Sequence, residues 1–256
     1  VKGSELLNPL PFEFKALKEP PSKIFYRGDT SLLTCPKVSI VGARKAYPYS
    51  RNITQNLASE LSKRGVCVVS GGAMGIDALA HEGAFPNTIA VLANGLNIVY
   101  PKVNKKLLQK MAEKSLILSE YEDNEEARSY TFVHRNRLVV ALGEVLVVAQ
   151  ADLNSGSMRS VEFALDMGKK IFVLPHRLGE SAATMQLLHE NKAELITDIK
   201  AFADMFGSIN AELDPFLNFC SNGVSYEEAL AFDSAKLFEY ELCAKIKVQN
   251  GKILVI

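Results

Sequence analysis

Val66-Cys67-Val68-Val69-Ser70-Gly71-Gly72-Ala73-Met74-Gly75 decides the fold. Four apolar residues, three of them β-branched, run without a polar break and stop at a cluster of small residues. That is the pattern of a strand buried on both faces and closed by a tight turn. A helix is predicted to begin near Gly75. The same unit recurs on either side. Val38-Ser39-Ile40-Val41 halts at Gly42-Ala43-Arg44-Lys45, and 49–63 carries Ile53, Leu57 and Leu61 at helical spacing, with Gly65 placed to close that helix. Further strands are predicted at 88–92, 116–118, 145–149, 171–174 and 194–196, with helical stretches between most of them. β-branched runs alternating with amphipathic helices predict a parallel sheet covered on both faces. The fold class is α/β, a doubly wound Rossmann-like domain over 37–207.

The flanks read differently. The first 36 residues hold five of the ten prolines and one strand-like run, Lys23-Ile24-Phe25-Tyr26-Arg27, ending in a Gly28-Asp29 turn. They are expected to form an extended leader over 1–36, packed on the main domain. After 207, short helical stretches at 216–219, 226–232 and 235–244 precede two alternating runs joined by Asn250-Gly251, a strong hairpin signal. A small winged-helix-like module over 212–256 is expected, with Leu237, Phe238 and Leu242 in its core.

The chain is 48% hydrophobic, enough for a sizeable core. Lys+Arg and Asp+Glu are 29 each, so binding to nucleic acid through global basicity is excluded and would need a local patch. Residues 212–256 carry seven acidic and four basic groups, whereas 37–211 carry eighteen and twenty. Cys35, Cys67, Cys220 and Cys243 show neither a CxxC pattern nor a histidine at zinc spacing, so neither a disulfide framework nor a metal site is expected. No apolar run reaches the length of a membrane span and no charged-then-apolar leader opens the chain, so a cytoplasmic protein is expected.

In an open parallel sheet, ligands bind beyond the carboxyl ends of the strands. Four stretches fall there. Gly42-Ala43-Arg44 and Ser70-Gly71-Gly72-Ala73-Met74-Gly75 let the backbone approach a ligand and offer amides at a helix start, an arrangement suited to phosphate. Neither is a Walker loop or a GxGxxG. Phe132-Val133-His134-Arg135-Asn136-Arg137 places two arginines at a predicted helix start, a poor position for cations that favours an external anion. Asn136 is also a candidate cap. Ser155-Gly156-Ser157 is another small-residue loop opening a helix. Arg128 either extends this basic track or pairs with Glu125 or Glu126, and Lys102 is expected to be solvated. Enzymatic readings find little: there is no HExxH or GxSxG, and His81, His134, His176 and His189 show no partner. Asp77 reads as a capping or bracing group, and the acidic run from Glu120 to Glu126 as a solvated loop.

The order of these stretches resembles the DNA-processing protein A (DprA/Smf) family. The quoted loops are joined by His81, Gly83-Ala84, Thr88-Ile89-Ala90-Val91-Leu92, Tyr100-Pro101, Asn104 and Ser119-Glu120, over roughly 18–200. The resemblance implies a homodimer, without cofactor or catalytic step, that binds single-stranded DNA regardless of sequence. It implies roles in natural transformation: protecting incoming DNA and loading the RecA recombinase onto it. The DNA-binding residues so implied are Gly42, Arg44, Ser70, Gly71, Gly72, Met74, Gly75, Arg128, Phe132, Arg135, Asn136, Ser155, Gly156 and Ser157. The dimer surface is expected within 157–199, offered by Leu187, Leu188 and Leu195. The chain departs from the family pattern at Pro175-His176, at Ser181-Ala182-Ala183-Thr184-Met185 and at Lys192-Ala193. The C-terminal module is not expected to be the main DNA reader, because a groove-reading third helix is basic and this one carries Glu239 and Glu241 against Lys236. The alternative is a nucleotide-binding enzyme of the phosphoribohydrolase type. Its Pro-Gly-Gly-x-Gly-Thr loop is not matched here, where Ser70 replaces the proline.

Overall fold

The computed structural model describes residues 3–209, 215–221, 223–243, 245–249 and 251–255. Two compact units divide the chain, Val1–Ser208 and Ile209–Ile256. In the larger, the strands are β1 (Glu5–Leu6), β2 (Phe25–Gly28), β3 (Lys37–Val41), β4 (Cys67–Ser70), β5 (Thr88–Leu92), β6 (Leu116–Ser119), β7 (Val145–Val148), β8 (Ile171–Val173) and β9 (Glu194–Leu195). The helices are α1 (Pro48–Lys63), α2 (Ile76–Ala84), α3 (Lys105–Lys114), α4 (Ser129–Leu142), α5 (Gly156–Asp166), α6 (Ala182–His189) and α7 (Ile199–Asp204). The sheet order is β1-β2-β6-β5-β4-β3-β7-β8-β9, parallel from β6 to β9. The doubly wound parallel sheet expected from the apolar runs is present.

Alternation along each strand sends side chains to opposite faces. Cys67 and Val69 join one core with Leu138, Val140 and Leu142 of α4, while Val66 and Val68 join another with Leu57 and Leu61 of α1. Both sets are buried, which is why these strands read as unbroken apolar runs. The leader contributes more than a covering. Its Phe25–Gly28 strand pairs antiparallel with β6, Phe25 opposite Ser119, and Phe14, Leu17 and Ile24 are buried in the same core as α4.

The smaller unit holds α8 (Pro215–Ser221), α9 (Tyr226–Phe232), α10 (Ser234–Leu242) and a hairpin of β10 (Ile246–Gln249) and β11 (Lys252–Val255). Ser225 and Glu228 form a reciprocal capping box at the start of α9. Gly251 takes a left-handed conformation at the hairpin turn, while Asn250, named above with it, lies outside the described residues, as do 210–214 and Ala244. Leu237 is buried with Phe216, Tyr240 and Ile253. Phe238 and Leu242 are not core residues: they are 52% and 87% exposed. The core takes the i, i+3 row of 237 and 240, and 238 and 242 form a separate i, i+4 row.

Candidate functional site

The chain lays down β3, β4, β5 and β6 in one direction across the sheet, then returns to place β7 beside β3. This reversal is the topological switch point, where strand-end loops diverge and leave a crevice. A cleft of about 270 Å³ opens there. Gly42, Ala43 and Arg44 line it from the end of β3, Gly71 and Ala73 from the end of β4, and Phe132, Arg135 and Asn136 from α4. Ser155, Gly156 and Ser157 close the far wall. A smaller adjoining hollow runs past Gly72 and Met74 to Asn94, Tyr100 and Pro101.

Most residues singled out in the sequence therefore meet at one rim. Three do not line it. Ser70 is fully buried beneath the cleft, its hydroxyl donating to the Ile40 carbonyl at 2.6 Å. Gly75 has φ +78° and backs onto the Ala43 and Arg44 carbonyls, where any Cβ would collide with backbone. It shapes the loop from behind. Arg128 is exposed at the start of α4, where its amide and carbonyl bond to the Thr131 hydroxyl; among the described residues it forms no ion pair. Tyr100 and Asn104, not assigned to the site above, belong with it. Asn104 is buried, and its amide donates to the Gly72 and Ala73 carbonyls at 3.0 Å each, fixing the glycine loop. Their signal was the Tyr100-Pro101 and Asn104 order itself.

Arg44 is exposed and, among the described residues, has no ion-pair partner. Its guanidinium lies 5.7 Å from the Phe132 ring centre, and that ring tilts against Tyr100 at 5.5 Å. A cation over one ring of an accessible aromatic pair can take a flat π-system and an anion side by side. Across the cleft, α5 presents its N-terminus with no side-chain cap. The Ser155 hydroxyl there is buried and, among the described residues, has no hydrogen-bond partner. Asn136 holds this loop to α4, its amide donating to the Gly156 carbonyl at 3.3 Å. Open amides at a helix start favour an anion.

Arg135 plays a different part from the one its position in the sequence implied. It is only 5% exposed. One guanidinium nitrogen donates to the Gly71 carbonyl and, at 2.5 Å, to the Val91 carbonyl. A side chain at Gly71 would occupy the guanidinium's place, so glycine there makes room for the arginine. Burial pushes the Arg135 pKa down; Asp77 raises it and Arg44 lowers it further. Burial also pushes the Asp77 carboxyl up, against the pull of Arg135, the Ala73 and Gly71 amides and the Ser70 hydroxyl. The Ala73 amide donates to Asp77 at 3.3 Å. Part of the amide nest expected for an external phosphate is thus occupied by the chain's own carboxylate. Arg137 departs further from expectation, since it makes a bidentate pair with Glu120 at 2.7 Å through both terminal nitrogens. The reason is the helix start. α4 begins at Ser129, so both arginines lie well inside it, away from the positive end, and their anions come from other elements.

His81 is fully buried beside the loop, with Nδ1 2.7 Å from the Thr88 hydroxyl. That hydroxyl donates to Val68, so it accepts from the histidine. Burial lowers the His81 pKa from 6.5 to about 3. Between those values the unfolded chain binds a proton that the folded chain refuses, so this group's contribution to stability is lost as pH falls. Stability is expected to drop by about 1.4 kcal/mol per pH unit below 6.5 from this residue. Urea titrations at stepped pH will show that slope, and His81→Gln will flatten it.

The departures near the late strands are accommodated locally. His176 Nε2 lies 2.8 Å from the Ala149 carbonyl. Ser181 adopts a left-handed conformation and is buried, its hydroxyl accepting from the Ala151 amide at 2.9 Å. Leu187 is buried in the sheet core, which corrects its assignment to an exposed surface; Leu188 is partly buried against that core and Leu195 is 41% exposed. Among the described residues, no group of three or more His, Cys, Asp or Glu could hold a metal ion, and no helix is long and apolar enough to cross a membrane.

Comparison with known proteins agrees with this arrangement. Residues 8–207 match the family model described as DNA recombination-mediator protein A. The chain is 35% identical over 192 residues to DNA processing protein DprA of Streptococcus pneumoniae, covering 73% of this chain and 67% of that protein. It is 34% identical over 172 residues to DprA of Bacillus subtilis, covering 66% and 58%. The chain thus spans between about half and two thirds of the length of these relatives. Among solved structures, DNA processing protein A from Helicobacter pylori, described for its single-stranded DNA binding mode, superposes with a TM-score of 0.78 at 45% identity, over 79% of this chain and 94% of that one. DprA from S. pneumoniae superposes with a TM-score of 0.74 at 30% identity, over 80% and 75%. With the family model running from the leader through α7 and the loops of the switch point in the family's order, the chain belongs to the DNA recombination-mediator protein A (DprA/Smf) family.

Proposed function

We propose that the chain binds single-stranded DNA, without sequence preference, across the carboxyl ends of β3, β4, β5 and β7. The observation that carries this reading is Arg44, exposed and without an ion-pair partner among the described residues, poised over Phe132, whose ring packs against Tyr100. In this reading a base stacks on the aromatic pair while Arg44 and the open amides of α5 take neighbouring phosphates. Arg135 acts from beneath, holding the glycine loop in shape. A flexible strand can bend to place successive phosphates in such separated sites; a stiff duplex cannot easily do so. The H. pylori relative's single-stranded DNA binding supports the reading. The test is a salt titration with mixed-sequence single- and double-stranded oligonucleotides. Single strands are expected to bind more tightly, with little dependence on sequence and a steep loss with salt. Equal affinity for both forms would remove the reading.

The finer roles rest on the family. The bound strand is protected and handed to the RecA recombinase by a homodimer joined through the late part of the larger unit, near the exposed Leu165 and Leu195. The C-terminal unit serves protein contacts rather than DNA reading, as the acidic α10 and its exposed Phe238 favour. Sedimentation equilibrium is expected to give twice the chain mass at tens of micromolar, roughly where weak dimers form. A monomer there would exclude the dimer.

A further inference from the structure

One strongly charged surface lies outside the cleft. Between Lys102 and Lys114 the sequence carries five lysines and a single acid, Glu113. All five lysines are exposed, and among the described residues none forms an ion pair. Elsewhere Lys18, Lys23, Lys63, Lys170 and Lys192 are each bridged to a carboxylate, while Lys15, Lys45 and Lys200, exposed and unbridged among the described residues, do not line up in a row. Lys102, Lys106, Lys110 and Lys114 stand four residues apart, so those on α3 form one row, with steps of about 6 Å along the axis.

Such a row runs against helix stability. Like charges at i, i+4 repel, and Lys105 and Lys106 sit at the positive end of α3. Lys110 alone is partly accommodated, its ammonium 3.8 Å from the Phe85 ring centre. Meanwhile Leu108 and Met111 anchor the opposite side of α3 in the core. The head of the row is tied to the cleft, because Asn104 bonds directly to the glycine loop and Tyr100 and Pro101 line the hollow beside it.

We propose that the α3 row of Lys106, Lys110 and Lys114 is a second phosphate track, which carries the single strand out of the cleft and down the side of the molecule. The inference rests on the cleft reading above and adds a footprint that short oligonucleotides do not fill. A regular row of point charges on flexible stems suits a backbone rather than bases, so the track is indifferent to sequence.

The test compares wild type with the triple variant Lys106→Gln, Lys110→Gln, Lys114→Gln, and with Arg44→Ala, on mixed-sequence single strands of roughly 6 and 30 nucleotides. Glutamine keeps helix propensity, and relief of repulsion is expected to leave the thermal midpoint unchanged or raised. On the long strand, three lost phosphate contacts lower the log–log salt slope by about 2, so between 50 and 200 mM salt the wild type loses about sixteenfold more affinity than the variant. On the short strand the triple variant matches wild type. Identical salt slopes on the long strand, with Arg44→Ala still weakened, would overturn the track and leave the cleft standing; a row reserved for an acidic protein surface gives that result. If Arg44→Ala also bound normally, the cleft reading would fall and the track with it.

Discussion

Arg44→Ala is expected to weaken binding to single-stranded DNA by roughly ten- to a hundredfold, as loss of a hydrogen bond to a charged group implies. The arginine is exposed and among the described residues unpaired, so its removal leaves no buried partner stranded. Folding stability should therefore stay within about 0.5 kcal/mol of wild type. The salt slope should fall by about 0.7, one phosphate's share. Phe132→Ala offers the complementary signature. Stacking is worth about 1–3 kcal/mol per base, yet its loss leaves the slope unaltered because no ion is released. Fluorescence anisotropy across a salt series separates the two, with Lys200→Ala, an exposed residue on α7, as reference. Normal affinity in the Arg44 variant would take the centre out of the proposed site.

Arg135 should behave in the opposite manner, failing first in stability. Arg135→Met strips the Gly71 and Val91 carbonyls of their donor and leaves the buried Asp77 without its counter-charge. Hydrogen bonds to a charged group are worth about 1.5–3 kcal/mol each, and two are lost here. The urea midpoint should fall accordingly at constant slope, and a loss below about 1 kcal/mol would mean that the guanidinium does no more than an exposed pair. Adding Asp77→Asn should recover part of the loss, since the uncompensated charge is then gone. Arg135→Lys should recover part of the loss, since one guanidinium nitrogen meets both carbonyls and an ammonium carries three donors.

The contrast between these two arginines shows where reading a sequence succeeds and where it stops. Strands β4, β5 and β7 were legible because residues buried on both faces leave unbroken apolar runs, and small residues mark their ends. Once the sheet is parallel, the loops after β3, β4 and β7 must share a rim, so Arg44, Gly71 and Ser155 could be gathered without seeing them. What no local pattern encodes is which anion a cation meets. Arg135 and Arg137 stand two residues apart on one helix, yet one braces a glycine loop and the other grips Glu120. Those partners come from other elements. Edge pairing is equally silent: nothing around Phe25 announces β6 as its neighbour. On α10, Phe238 and Leu242 are as apolar as Leu237, and only the position of the hairpin and α8 decides which row is covered.

The outermost strands of the large sheet, β1 and β9, are two residues long, exposed, and each includes a glutamate. A free edge of that length offers an incoming strand only about 7 Å of backbone to grip, with a carboxylate beside it. Nine strands of mostly apolar sequence would otherwise be a template for sheet-to-sheet addition, the route to fibrils. Tapering both margins confines self-association to side-chain surfaces, which can close on themselves and stop. On the proposed reading, copies gathered on one strand would reach high local concentration, and margins of this kind would let them crowd without seeding aggregates.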